Sequence, residues 1–121
     1  MPTFRSDLYI KVFENRMLAR NIARREAVEI SAERAFSHPR MLVGDFVEAQ
    51  RCLKKAVATA NGPGLVLRTR ILIQPMEKIE GGLTQVEERL FIELALGGGA
   101  AKAIVWIGQP LSDEAVQEKL R

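Results

Sequence analysis

The stretch GGLTQVEERLFIELALGGGAAKAIVWIGQP, residues 81–110, places a helix start, a glycine stop and an apolar strand in immediate succession. Thr84 and Glu87 have the spacing of a capping box, in which each side chain satisfies a free backbone N–H of the first helical turn. Gly97–Gly99 ends the helix, and the apolar run Ala103–Ile107 predicts a buried strand. Helical spacing of apolar residues predicts a buried stripe of Val86, Leu90, Phe91 and Leu94.

The three glycine clusters are interpreted as caps and turns. A phosphate cradle needs glycines after a strand and before a helix, so that free helix N–H groups point at the anion. Gly97–Gly99 run from helix to strand instead, and Gly62 and Gly64 have the same polarity. Gly81 and Gly82 precede a helix, but no Lys-Ser or Lys-Thr follows them as in a P-loop. We therefore expect no nucleotide-binding residues.

Upstream of this stretch, the sequence predicts a strand, a loop and a long helix. β-Branched and aromatic residues favour a strand over Asp7–Phe13, with a two-residue turn at 14–15. Residues 37–44 read as a loop, and Asp45 can cap the helix that Asn61–Gly64 ends. The core-facing residues of this helix are predicted to be Phe46, Ala49, Leu53, Ala56, Val57 and Ala60.

Two shorter elements complete the prediction. RILIQP, Arg70–Pro75, is apolar on both faces, as expected of a strand buried between layers. Ser112, followed by two acidic residues, opens a short last helix. No internal repeat or linker divides the chain, so residues 1–121 are predicted to form a single domain.

The segment between residues 16 and 36 has two interpretations. Its Met, Leu, Ala, Arg and Glu content, uninterrupted by Gly or Pro, favours a basic amphipathic helix. The same residues could form strands over Arg16–Ala23 and Ala27–Ser31, with a turn at Arg24-Arg25. Hydrophobic periodicity does not decide between the two.

Length and composition indicate an ordinary globular protein. The chain has 121 residues, of which 47% are hydrophobic and 27% charged, enough for one hydrophobic core. No apolar run approaches the roughly 18–20 residues that span a bilayer, and the first residues lack the pattern of a signal peptide. We therefore expect a cytoplasmic protein.

Residues suited to catalysis or metal binding are few. Cys52 and His38 are the only cysteine and histidine, which excludes an intramolecular disulfide and a Cys-based metal site. We interpret them as a half-buried thiol and a loop imidazole. Glu87 and Glu88 are adjacent on a helix and point in different directions. No catalytic residue, metal ligand or cofactor is predicted.

The positive charge is concentrated in the first third of the chain. The formal net charge is +3, and a candidate anion-binding patch consists of Arg16, Arg20, Arg24 and Arg25. Glutamates are interspersed among these arginines, and one Tyr and one Trp do not provide a run of aromatic residues for base stacking. A solvated surface of mixed charge is the simpler interpretation.

The chain between Met41 and about Val116 resembles a segment of the MreB-type bacterial actin-like proteins. In that family a strand ending in Pro leads to a Thr-Gln-Val-Glu-Arg helix, a Gly-rich turn, an apolar strand and a Glu-Glu-Pro. Here these parts read RILIQP, Thr84–Arg89, Gly97–Gly99, AIVWI and Gly108-Gln109-Pro110. Upstream, MLVGDFVEAQRCLKKAV resembles the family's preceding amphipathic helix.

A likeness over nearly the whole chain is to the small YjaA-like family. LYIKV, AFSHPRMLVGDF and EGGLTQVEERL carry it. Members of that family are bacterial proteins labelled as stress-related, and they have no assigned biochemical activity.

The two resemblances imply an α/β (α+β) fold, namely an RNase H-like or actin-like half domain. The expected sheet has about five strands, three antiparallel and then two parallel, with about three helices. This implication favours strands between residues 16 and 31. Actin-like ATPases place a Gly/Thr-rich hairpin after an Asp on their first strand, whereas Asp7 here is followed by Leu-Tyr-Ile-Lys. Gln109 stands where the family has an acidic residue, so the resemblance implies a fold without ATPase function.

The leading functional expectation is a non-catalytic protein-interaction module. Its partner would be a second copy, an actin-like cytoskeletal protein or a stress-linked protein. Ile92 and Leu96 lie off the predicted buried stripe and form the candidate interaction surface, unless neighbouring chain covers them. The alternative is a binder of nucleic acid or anionic surfaces that uses the N-terminal arginines, whose affinity would fall steeply with salt.

Overall fold

The computed structural model describes residues 3–121, with side chains from residue 5 onward. Its elements, in chain order, are β1 (Thr3–Phe13), β2 (Arg16–Asn21), β3 (Glu26–Ser31), α1 (Phe46–Asn61), β4 (Val66–Pro75), α2 (Gln85–Gly97), β5 (Lys102–Val105) and α3 (Asp113–Leu120). The five strands form one sheet in the order β3-β2-β1-β4-β5. β3, β2 and β1 are antiparallel neighbours, whereas β1, β4 and β5 are parallel. The predicted mixed α+β fold with five strands and three helices is confirmed.

The ambiguous N-terminal segment forms strands, so the helical interpretation is wrong. Along β2, half-buried and buried residues alternate strictly, with Met17, Ala19 and Asn21 buried. Positive φ angles of 56° at Asn15 and 55° at Arg25 close the two turns. Pairing with neighbouring strands buries alternate residues, and this outweighs a helix propensity of a few tenths of a kcal/mol per residue.

The first face of the sheet holds the larger core. α1 packs on β2 and β3, while α2 packs on β4 and β5. Leu8, Ile10 and Val12 of β1 point into this core, where they join Leu53 of α1 and Leu94 of α2. All five are 0% exposed. We call this side, with α1 and α2, the first face.

The opposite side, which we call the second face, carries α3. Tyr9 of β1 and Leu72 of β4 point to this side and pack against Val116 and Leu120 of α3. α3 contacts β1, β4 and β5. The second apolar cluster is therefore confined to one half of the sheet.

The helix starts are confirmed. Asp45 accepts a hydrogen bond from the backbone N–H of Glu48 at 3.1 Å. Thr84 and Glu87 form the reciprocal capping box at 3.1 and 3.0 Å. Ser112 caps α3 through the N–H of Ala115. These caps depend on residues three apart in the chain, which is why local sequence was sufficient to predict them.

Two residues predicted to be in the core are exposed. Phe46 is 37% exposed and Val86 is 78% exposed. Each lies in the first turn of its helix. α2 instead buries Phe91, Leu94 and Ala95.

Several strand predictions need correction: β1 begins at Thr3 instead of residue 7, and β5 spans Lys102–Val105 instead of residues 103–107. β2 ends at Asn21 instead of residue 23, and β4 begins at Val66 instead of residue 70 because it pairs with β1 from Thr3 onward. β5 is half-buried because it lies at the edge of the sheet. Within residues 3–121, none of the helices has the length and apolar character needed to cross a membrane.

Candidate functional site

The second face is covered on one half only. Side chains of Arg16, Leu18 and Arg20 on β2 point to this side, because Arg20 is in register with Tyr9 and Leu18 with Lys11. On β3, Ala27 and residues 29 and 31 point the same way. α3 lies over β1, β4 and β5, which leaves the β2–β3 half of this face largely open.

An open groove of about 530 Å³ runs between this uncovered half and the start of α3. We call it the sheet groove. It is lined by Tyr9, Lys11, Leu18, Arg20, Ala27, Leu111, Ser112, Asp113 and Glu114. By comparison, the groove beside Met41 and Leu83 encloses only about 20 Å³, room for about one water. The sheet groove is therefore the more spacious of these two candidate sites.

An ion pair fixes one wall of the sheet groove. Arg20 on β2 donates two hydrogen bonds to Asp113 on α3, at 2.8 and 3.0 Å. These bonds lower the pKa of Asp113 below its ordinary value of 3.8, and they hold the guanidinium in its charged form. The pair ties the first turn of α3 to β2.

Buried polar groups support the loop that leads into α3. The Tyr9 hydroxyl donates to the side-chain oxygen of Gln74 and accepts from the backbone N–H of Leu111 at 3.2 Å. Gln74 in turn donates to the carbonyl of Gly108 at 2.8 Å. Burial raises the pKa of Tyr9 above 10.0, so the phenol stays protonated and keeps its donor role. Leu111 is thereby held at the rim of the sheet groove.

Lys11 is the remaining cation of the sheet groove. It is half-buried, and its ammonium lies 5.3 Å from the centroid of the Tyr9 ring. Among residues 5–121, no carboxylate lies within 4.0 Å of it. Apolar Leu18 lies directly across the strand pair from this unpaired charge.

The four predicted anion-binding arginines lie in two places. Arg16 and Arg20 share the second face, four residues apart on β2, whereas Arg24 and Arg25 lie around the β2–β3 turn. Arg16 pairs with Glu29 at 2.7 Å and stacks on the Phe13 ring. Arg24 pairs with Glu26 at 3.4 Å and donates to the carbonyl of Asn61 at the end of α1. With Arg20 held by Asp113, three of the four arginines already have carboxylate partners.

Ile92 and Leu96 lie one turn apart on the outer side of α2. Leu96 is 40% exposed and Ile92 is half-buried. Ile92 lies in a shallow depression with Glu88, Arg89 and Glu93. Arg89 and Glu93 pair with each other at 3.7 Å, whereas Glu88 has no basic group within 4.0 Å among residues 5–121.

Cys52 and His38 have separate partners. The Cys52 thiol is 5% exposed and faces the carbonyl of Ile30 at 3.6 Å, more buried than the sequence suggested. Burial raises its pKa to about 11, which keeps it a thiol at neutral pH. His38 is exposed in its loop and accepts the N–H of Arg40 through Nδ1.

The sheet groove was missed by sequence reasoning. Of its residues, the sequence predicts only Arg20 as part of a candidate binding site. The signal that could have revealed part of it is the alternation of Tyr9, Lys11 and Phe13 on one side of β1. The other wall comes from the start of α3, which is 93 residues from Arg20 in the chain.

Comparison with known proteins places this small α+β protein in a family. A protein of Escherichia coli (strain K12) that bears the name Uncharacterized protein YjaA is 31% identical over 126 residues. The match covers 96% of this chain and 98% of that protein. The chain therefore belongs to the YjaA family. No protein-family model matches the chain, so none supports the resemblance to MreB-type actin-like proteins.

Proposed function

We propose that the protein is a non-catalytic protein-interaction module with an RNase H-like, actin-like half-domain fold, and that it binds a protein partner in the sheet groove. Its place of action would be the cytoplasm, and its partner a second copy, a cytoskeletal actin-like protein or a stress-linked protein. Support for the fold assignment comes from the element order, three antiparallel strands followed by helix, strand, helix, strand and helix. The actin-like fold and the interaction role are both proposals that go beyond membership of the YjaA family.

The observation that carries this proposal is the unequal cover of the two faces. Neighbouring strands lie about 4.8 Å apart, so the outer strands of a five-stranded sheet are separated by about 19 Å. A helix is about 10 Å wide, and two helices are needed to cover such a sheet. Within residues 3–121, the first face has two helices and the second face has one. The uncovered half has room for one further element.

The chemistry of the sheet groove suits a protein surface. Leu18, Ala27 and Leu111 provide apolar contact area, and charged groups surround them. Apolar centres with polar rims are typical of sites where proteins bind each other. The volume of about 530 Å³ is also large enough to accept several side chains.

The carboxylate on β1 supports a structural role for this strand. Asp7 is 7% exposed and accepts two hydrogen bonds from Arg70, both 2.8 Å long. Each carboxylate oxygen therefore already has a strong donor. This pairing favours a function other than nucleotide chemistry for the strand that carries it.

Site-specific photo-crosslinking tests the proposal. A photoreactive amino acid replaces Leu18 in the tagged full chain, and Leu67 serves as the matched control because it is exposed on β4 away from the sheet groove. In native cells, we expect the Leu18 probe to give a crosslinked protein band that the Leu67 probe lacks, at low and high salt and after nuclease treatment. Identical patterns from both probes would contradict the proposal.

A second candidate function is binding of nucleic acid or anionic surfaces. Lys11, Arg16 and Arg20 lie on the same side of the sheet, which favours this candidate. The carboxylates paired with both arginines weaken it, because an incoming phosphate would have to displace them. Binding of single-stranded oligonucleotides that falls steeply with salt would support this candidate.

A further inference from the structure

The outer side of α2 and the sheet groove have complementary chemistry. On α2, Glu88, Ile92 and Leu96 follow one another at intervals of four residues and form one stripe along the helix. We call it the α2 stripe. It has an unpaired carboxylate at one end and apolar side chains along the rest. The sheet groove has an unpaired ammonium at Lys11 and apolar side chains next to it.

The distance between the charged and the apolar group on the α2 stripe also matches the corresponding distance in the sheet groove. Residues four apart on a helix have Cβ atoms about 5–6 Å apart, which is the separation expected for Glu88 and Ile92. Side chains directly opposite on antiparallel strands are about 4.5–5.5 Å apart, which is the separation expected for Lys11 and Leu18. A carboxylate over Lys11 therefore brings the next apolar side chain of the helix over Leu18.

These two surfaces cannot meet within one molecule. α2 packs on the first face, through Phe91 and Leu94, and its stripe points away from the sheet. The sheet groove lies on the second face. Any contact between them joins two molecules.

We propose that the sheet groove binds the α2 stripe of a second copy of this chain, with Glu88 facing Lys11, Ile92 packed on Leu18, and Leu96 directed to β3. This inference rests on the proposed function and names the partner. The contact is head-to-tail, because each molecule contributes a different surface to it. Such a contact leaves one groove and one stripe free at the two ends, so assembly continues beyond the dimer unless it closes into a ring.

Around Lys11, the charges favour an acidic side chain over a basic one, whereas Glu114 at the start of α3 is a carboxylate of the groove lining with no basic group within 4.0 Å among residues 5–121. Arg16 and Arg20 already pair with Glu29 and Asp113, and of the two cations that line the sheet groove, Lys11 and Arg20, Lys11 has no carboxylate within 4.0 Å among residues 5–121. A carboxylate placed against a half-buried ammonium gains a charge-assisted hydrogen bond. A basic stripe would instead bring like charges together.

A mixing experiment with full-length variants tests the head-to-tail contact. Leu18→Asp disables the sheet groove and leaves the α2 stripe intact, whereas Ile92→Asp does the reverse. In sedimentation velocity over a dilution series, we expect the wild-type mass to rise with concentration above 13.5 kDa. Each variant alone should stay monomeric, and an equimolar mixture of the two should form a dimer. Val86→Asp, an exposed residue of α2 outside the stripe, should assemble like the wild type.

Charge-reversal variants test the same contact without touching apolar residues. We expect Lys11→Glu and Glu88→Lys each to weaken assembly at least several-fold, and the double variant to recover much of it. Circular dichroism and thermal melting confirm that each variant is folded. A wild-type chain that is monomeric at every concentration, or a mixture of folded Leu18→Asp and Ile92→Asp that stays monomeric, would overturn the inference. If the photo-crosslinked partner at residue 18 proves to be another protein, the proposed function stands and this inference fails.

Discussion

The two faces of the sheet are covered by helices to different extents. The first face is closed by α1 and α2 over a continuous apolar core, in which Leu53 and Leu94 are fully buried. The second face is joined to α3 through a smaller apolar cluster around Leu72, Val116 and Leu120, with hydrogen bonds and one ion pair at its edge, and within residues 3–121 its β2–β3 half is largely open. The comparison indicates that the first face supplies most of the stability, and that the open half of the second face can be altered without loss of the fold.

The largest expected effect is on the free energy of unfolding, and it compares one substitution on the first face with one on the second. Leu53→Ala removes a fully buried side chain from the first face, and we expect a loss of about 3–5 kcal/mol in the free energy of unfolding. Leu18→Ala in the sheet groove should cost less than about 1 kcal/mol because that residue is only half-buried. Urea denaturation of both variants measures the difference. Equal losses would show that the second face is as much a part of the core as the first.

The second-largest loss of stability is expected at the buried ion pair of the second face, between Asp7 and Arg70. Asp7→Asn leaves the Arg70 guanidinium with one neutral acceptor, in a site where both residues are 7% exposed. Removing one partner of a buried pair costs about 3–5 kcal/mol, and because Asn keeps one acceptor we expect roughly 2–3 kcal/mol. Urea denaturation at neutral pH checks this value. Wild-type stability in Asp7→Asn would contradict the structural role given to this carboxylate.

The hydrogen bonds of Tyr9, which support the loop before α3, should contribute less to stability than that ion pair. Tyr9→Phe removes the hydroxyl that donates to Gln74 and accepts from the N–H of Leu111. We expect a loss of about 1–2 kcal/mol, since the side-chain oxygen of Gln74 loses its donor and the N–H of Leu111 loses its acceptor. Hydrogen exchange should show faster exchange at Leu111 and unchanged exchange in α1. Faster exchange throughout the chain would mean that the two faces unfold together.

The smallest expected effect concerns pH. Asp113 has a folded pKa below its ordinary value of 3.8 because Arg20 donates hydrogen bonds to it. Its contribution to stability is therefore present above pH 4 and is lost as the pH falls through the lowered folded pKa. Melting temperatures of the wild type and Asp113→Asn, measured from pH 2 to pH 6, should converge at the acid end. A constant difference in melting temperature across that range would contradict the predicted loss of stabilisation at low pH.

Local chemistry made much of the fold predictable. Asp45, Thr84 and Ser112 cap helices through backbone N–H groups three residues ahead, so a short stretch of sequence contains all the information needed. Strands over Asp7–Phe13 and Arg70–Pro75 were evident from their composition. Here each prediction depended on neighbours in the chain.

The remaining features depend on contacts between distant residues. Residues 16–31 form strands because β2 pairs with β1 and β3 with β2. This pairing cannot be predicted from the local sequence. Phe46 and Val86 have the helical spacing of the buried apolar residues, but they are exposed in the first turns of their helices. The sheet groove depends on which half of the second face α3 covers. Family membership, by contrast, was recognisable from short motifs spread over the chain, and the 31% identity to YjaA of Escherichia coli confirms it.

The most direct test of the central claim is amide chemical-shift mapping on one labelled chain. Isotope-labelled Ile92→Asp, which has an intact sheet groove, is titrated with unlabelled Leu18→Asp, which has an intact α2 stripe. The account predicts shifts that saturate at Lys11, Leu18, Ala27 and Leu111, while the first face stays unchanged. The absence of shifts at the highest attainable concentration, or shifts centred on the first face, would contradict it.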